Sequence, residues 1–109
     1  MDKDSDRIYV EHILQAIAGI ESFTHGLRFD QFAQDLKTQL AVTRELEIIG
    51  EASKRLSEAF KNDHNLIPWK KITGMRDFLI HDYLDIDLEI VWKAVTEDIA
   101  GLKHALAQA

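Results

Sequence analysis

Within eight residues, Arg76-Asp77-Phe78-Leu79-Ile80-His81-Asp82-Tyr83, the chain gathers a guanidinium, an imidazole, two carboxylates and a phenol. The spacing is Arg-x4-His-x-Tyr. An imidazole exchanges protons near neutral pH, and a guanidinium grips a phosphate through two parallel hydrogen bonds. Without a metal, that pair suits attack at a phosphorus centre, where the charge that builds up in the transition state needs a fixed cation. RNA carries its own nucleophile, the 2′-hydroxyl. One His acting as base on that hydroxyl, with a second acting as acid on the leaving 5′-oxygen, would cut the strand. One chain offers a single such residue, His81, so two copies facing each other across a cleft would complete the pair.

No Gly or Pro interrupts residues 76 to 83, which predicts a helix there. On a helix Asp77 and His81 are four residues apart and share a face, so the carboxylate would orient the imidazole. Arg76 and Tyr83, seven apart, fall on a common stripe, while Arg76 and His81 sit about 140° apart. The bland reading of such residues is a satisfied polar pair on an ordinary helix. Against it stands the apolar pattern: Trp69, Ile72, Met75, Leu79 and Tyr83 form one stripe, yet Phe78 and Ile80 project elsewhere. A helix apolar around most of its circumference is covered on more than one side. In so small a domain the expected second cover is another subunit, which places Arg76, His81 and Tyr83 beside a homodimer seam.

The elements that must hold this motif belong to one domain, because 109 residues bury about 65% of their unfolded surface and leave no material for a second core. With no cysteine there is neither a disulfide nor a thiolate metal site. The polar, acidic start Met1-Asp2-Lys3-Asp4-Ser5-Asp6-Arg7 does not read as a secretory signal, and no apolar run approaches the roughly 20 residues of a membrane span. A soluble, cytoplasmic protein is expected. The net charge of −6 argues against sequence-independent coating of nucleic acid. A local phosphate site remains open, since Lys70, Lys71 and Arg76 cluster on the same segment as the motif. The acids at Glu45, Glu47 and Glu51, and from Asp82 to Glu89, read as solvated faces.

The apolar periodicity predicts an all-α, antiparallel four-helix bundle with no strand. Ser5 or Asp4 caps a first helix that carries Ile8, Ile13, Ile17 and Ile20 and stops at Gly26. Asp30 caps a second, long helix running to about Asn62. Gly50 sits inside it at a cost of about 1 kcal/mol against Ala, which the close approach of another backbone would offset. Pro68 fits the first turn of a third helix, the one bearing the motif. Asp85 or Asp87 caps a fourth, with Leu88, Val91, Trp92, Val95, Ile99, Leu102 and Leu106 at helical spacing.

Other chemistries are poorly supported. The five glycines are scattered, so neither a P-loop nor a dinucleotide fingerprint can be drawn. His12, His25, His64 and His104 are dispersed and read as surface or boundary residues, and the acids after Asp82 lack the spacing of a calcium loop. No metal and no cofactor are expected.

Arg76-Asp77-x3-His81-x-Tyr83 is preceded by Ile67-Pro68-Trp69 and Ile72-Thr73-Gly74-Met75 and followed by Val91-Trp92; much earlier comes Ile49-Gly50-Glu51-Ala52-Ser53-Lys54-Arg55-Leu56. Together these motifs resemble the HepT-like toxins of the HEPN superfamily over essentially the whole chain, residues 1–109. The resemblance implies a homodimeric, metal-independent ribonuclease in a toxin–antitoxin module, with Arg76 and His81 as the catalytic pair. Asp77 matches the polar residue that follows the Arg in this superfamily. Tyr83 matches the tyrosine to which a partner antitoxin, the minimal nucleotidyltransferase MntA, attaches AMP. Lys70 and Lys71 would help hold RNA if they collect in the dimer cleft. A different class of function is also compatible with the motif: a non-catalytic partner, or substrate-presenting subunit, of such a nucleotidyltransferase. A purely structural helical dimer is the third possibility.

Overall fold

A computed structural model describes residues 3–75, 77, 80–82 and 85–107. Helix α1 spans Lys3–Thr24 and ends as expected at Gly26, whose φ of +76° lies in the left-handed region that suits glycine. The predicted second helix is instead three pieces: α2 (Phe29–Phe32), α3 (Leu36–Lys54) and α4 (Glu58–Asp63). Each break has a local cause. At the first, the Asp35 carboxylate accepts from the Thr38 amide at 3.1 Å and from its hydroxyl at 2.6 Å, which starts a new helix five residues after the expected cap, Asp30. The Thr38 hydroxyl, then the Thr38 amide, hold the Asp35 carboxyl below its ordinary pKa. Its cap therefore contributes fully above the unfolded value and is lost as pH falls through the lower folded one.

At the second break Ser57 caps α4, its Oγ accepting from the Phe60 amide at 3.1 Å. The same hydroxyl donates to Asp6 Oδ2 at 2.6 Å, and the Ser57 amide donates to Asp6 Oδ1 at 2.8 Å. Asp6 is only 8% exposed. A carboxylate on the first turns of α1 thus fixes where the chain leaves α3. Because α3 starts a short connection after α1 ends and its far end meets Asp6, the two helices run antiparallel.

Their shared face is the core. Ile13, Ile17 and Ile20 of α1 and Val42, Leu46 and Ile49 of α3 are all essentially inaccessible to solvent. Phe32, Ile72, Met75, Val91, Ile99 and Leu102 complete the same cluster. At about 1.5–3 kcal/mol per fully buried large aliphatic side chain, this seam is the main source of stability.

After α4 the chain forms the short helix α5 (Trp69–Thr73), with Met75 and Asp77 also helical. It then enters an antiparallel pair of strands, β1 (Ile80–Asp82) and β2 (Asp85–Ile86), in the register Ile80 to Ile86 and Asp82 to Asp85. The expectation of no strand is corrected here. Asp87 then caps α6 (Leu88–Lys93), accepting from the Ile90 amide at 3.2 Å. The helix continues through a π-helical turn, Ala94–Asp98, where the Ile99 amide reaches back five residues to the Ala94 carbonyl, and finishes as α7 (Ile99–Ala107). The fold is mostly helical, as the periodicity predicts. No helix among the described residues is long and apolar enough to cross a membrane.

The Asp6–Ser57 pair makes the fold testable. Asp6→Ala and Ser57→Ala should each lower unfolding free energy by ~1–3 kcal/mol, the first by removing the acceptor of the Ser57 amide and hydroxyl, the second by taking the hydroxyl from buried Asp6 and the cap from α4. The double variant should lose clearly less than the sum in denaturant titrations; additive losses would show that the two residues act separately.

Candidate active site

The segment leading into the motif is held on two sides. On one, Phe60, His64 and Trp69 form a compact aromatic group. The His64 ring stacks on Phe60 at 4.2 Å between centroids, with its Nδ1 2.9 Å from the Phe60 carbonyl, and Phe60 meets the Trp69 ring edge-on at 6.1 Å. Trp69 Nε1 donates to the His64 carbonyl at 3.1 Å. His64, read from sequence as a surface or boundary residue, is half-buried and fixes the start of α5. Pro68 stands directly before α5 as its cap residue, where its missing amide costs nothing.

On the other side lies α3. A Cβ placed on Gly50 would meet the Ile72 carbonyl oxygen at 3.4 Å and the Thr73 carbonyl oxygen at 3.5 Å. The close approach expected at Gly50 is therefore real, and the approaching backbone is α5 of the same chain. Three residues along α3 on the same side, Ser53 is fully buried and its hydroxyl has no hydrogen-bond partner among the described residues. The missing side chain at 50 leaves room for α5 beside the helix. Beyond α5 the Asp77 amide donates to the Gly74 carbonyl at 3.0 Å, which carries the helical path one step into the motif.

The motif does not continue as a single helix. His81 lies in β1, paired with β2, so the helical argument that set Asp77 and His81 on one face does not hold. The physical reason is that the i to i+4 relation needs an unbroken helix through 77–81, and Ile80 and His81 are extended. The Asp77 side chain is exposed. Arg76 and Tyr83 lie outside the described residues, and His81 is described by its backbone alone.

The two lysines part company. Lys71 Nζ donates to Asp98 Oδ1 at 3.2 Å, tying α5 to the π-helical turn, and its charge is largely answered there. Lys70 is exposed and has no carboxylate partner among the described residues. Among the described residues no three His, Asp or Glu side chains converge as a metal site would require.

Comparison with known proteins settles the family. The model of the HepT-like family, described as ribonuclease HepT-like, matches residues 13–109, a span that contains Arg76, Asp77, His81 and Tyr83. The chain belongs to the HepT-like family. Among its relatives is a protein of Thermococcus cleftensis, provisionally named ribonuclease HepT, that is 50% identical over 101 residues, 93% of this chain and 92% of the relative. A provisionally named RNase of Caldanaerobacter subterraneus is 41% identical over 102 residues, 94% of this chain and 91% of that one. Another, from Methanocaldococcus jannaschii, is 43% identical over 99 residues, 91% of this chain and 82% of that one. No solved structure matches.

The contact at Gly50 sets an expectation for this family member. Gly50→Ala should be close to neutral in stability, because the new methyl makes ordinary van der Waals contact and Ala favours the helix by about 1 kcal/mol. Gly50→Leu should cost ~1–3 kcal/mol by pushing α5 off α3. Chemical unfolding of both variants checks this; a Leu variant as stable as the parent would show that α5 is not held at this point.

Proposed function

We propose that this chain is the toxin of a toxin–antitoxin module and acts as a metal-independent endoribonuclease. The observation that carries the reading is membership of the HepT-like family over residues 13–109, with the Arg-x4-His-x-Tyr motif inside the matched span. The relatives' names as ribonucleases support it.

In this account the enzyme is a homodimer whose motif segments face each other. Arg76 holds the scissile phosphate through its guanidinium fork and stabilises the added charge of the transition state. His81 removes the proton from the 2′-hydroxyl, whose oxygen attacks phosphorus as the bond to the 5′-oxygen breaks, and the partner's His81 delivers a proton to that leaving oxygen. The products are a 2′,3′-cyclic phosphate and a 5′-hydroxyl, with no water consumed. Asp77 is the residue beside the pair that would orient it, by a route other than a shared helical face. Lys70, exposed and without a carboxylate partner among the described residues, is the better candidate of the two lysines for an RNA phosphate.

Silencing is assigned to Tyr83. A phenol is a competent acceptor, and an antitoxin nucleotidyltransferase that attaches AMP there would add bulk and negative charge beside the cleft, where RNA phosphate must bind.

The test uses parent, Arg76→Ala and His81→Ala proteins with total cellular RNA in chelator. Cleavage by the parent, leaving cyclic phosphate and 5′-hydroxyl ends, should fall by ~10²–10⁴-fold in each variant while the dimer stays folded. Undiminished cleavage in both variants would overturn the assignment. So would intact RNA with the parent, once mass spectrometry shows Tyr83 free of AMP; that outcome would favour the non-catalytic partner of a nucleotidyltransferase.

A further inference from the structure

On the outer side of the α1–α3 pair lies a cleft of about 310 Å³ lined by Tyr9, His12, Arg44, Ile48, Glu51, Ala52 and Arg55. One wall is a single ridge of α3, since positions 44, 48, 51 and 55 recur every three or four residues and so lie along one face. The other wall is Tyr9 and His12 of α1, whose rings meet edge-on with centroids 6.2 Å apart.

The charge of this cleft runs against that of the chain. Arg55 is exposed and has no acidic partner among the described residues. Among the described residues Arg44 has a single acidic contact, to Glu47 at 3.7 Å, and 71% of its side chain is exposed. Such a surface pair contributes little and leaves the guanidinium free to turn. The one carboxylate in the lining, Glu51, is answered by Lys54 at 3.5 Å. A protein of net charge −6 therefore keeps two available guanidiniums and an imidazole at the edge of a concave site, beside an aromatic ring. Arg44 and Arg55 are eleven residues apart, about 16 Å along the helix, a span that takes more than one phosphate of an extended strand.

We infer that this cleft binds single-stranded RNA, with Arg44 and Arg55 holding separate, non-adjacent backbone phosphates and Tyr9 offering a face on which a base stacks. The combination of a positive groove with an aromatic platform is how single strands are held without sequence reading. The inference rests on the ribonuclease reading above and extends it: the substrate strand runs over α1 and α3 in addition to the motif. It also meets the objection that an acidic protein binds RNA poorly, because the cationic groups needed are local.

The experiment measures binding of a fluorescent oligouridine in the His81→Ala background, which keeps the strand intact. Arg44→Gln with Arg55→Gln should weaken binding roughly tenfold and reduce the slope of log affinity against log salt by about 1.4, the share of two single-strand phosphates. Arg44→Lys with Arg55→Lys keeps both charges and should keep most of that slope. A 4-thiouridine strand should cross-link to peptides containing Tyr9 to His12 or Arg44 to Arg55. Unchanged affinity and slope in the Gln variant, no binding by the parental cleft, or cross-links confined to other segments would each overturn the site. Circular dichroism of the variants guards against loss of fold. Failure of the ribonuclease reading appears separately, as total RNA left uncut by the unmutated protein.

Discussion

The carbonyl oxygens of Ile72 and Thr73 pack beside Gly50, within 3.4–3.5 Å of where a β-carbon would stand, and this packing of α5 on α3 places the segment that leads into the motif. A methyl at this position would make only ordinary contact with those oxygens, so the seat needs a residue no larger than alanine, and a bulkier side chain in the middle of α3 would push α5 away. The seat is well defined because α3 is itself packed and capped. Its other face is packed along α1 through Val42, Leu46 and Ile49, and both of its ends are defined by capping, at Asp35 and near Ser57. With α5 seated on one side and the Phe60–His64–Trp69 group closing its start, the chain has little freedom over where Met75 and Asp77 begin the motif.

Rigid support of this kind is what an Arg–His pair needs. Proton transfer and phosphate binding lose most of their effect if the groups wander by an ångström, so catalytic side chains are effective when the backbone beneath them is over-determined. The Lys71–Asp98 ion pair belongs to the same scaffold. It binds α5 to the π-helical turn of the C-terminal helix, and a lysine whose charge suggests a substrate contact instead braces the element ahead of the motif. The antiparallel strands that follow set His81 on extended backbone. In the proposed dimer, two such segments would contribute one His each.

Local chemistry made much of this legible in the sequence. Gly26 announces the end of α1 because only glycine is comfortable at its φ; Pro68 marks the start of α5; Gly50 signals a close backbone approach; and the stripe from Leu88 to Leu106 predicts the last helix. What escaped was decided at long range or by close competition. The end of α3 depends on Asp6, fifty-one residues away, and no local pattern reveals that partner. The start of α3 was a contest between Asp30 and Asp35, decided by the second oxygen of Asp35 finding the Thr38 hydroxyl. The strand at 80–82 has no Gly or Pro to announce it, and its pairing with 85–86 is a tertiary choice. The Arg44–Arg55 cleft was hidden because its two walls come from separate helices and its arginines lie among the acids of α3.

The proposed site is shared by two chains, each contributing His81. It is tested most directly by a purified heterodimer, one subunit unmutated and the other His81→Ala, assayed for RNA cleavage against the unmutated homodimer. A shared acid–base pair predicts activity far below half, close to that of the His81→Ala homodimer. Retention of about half the activity would mean that each subunit cuts RNA on its own, and would contradict the account.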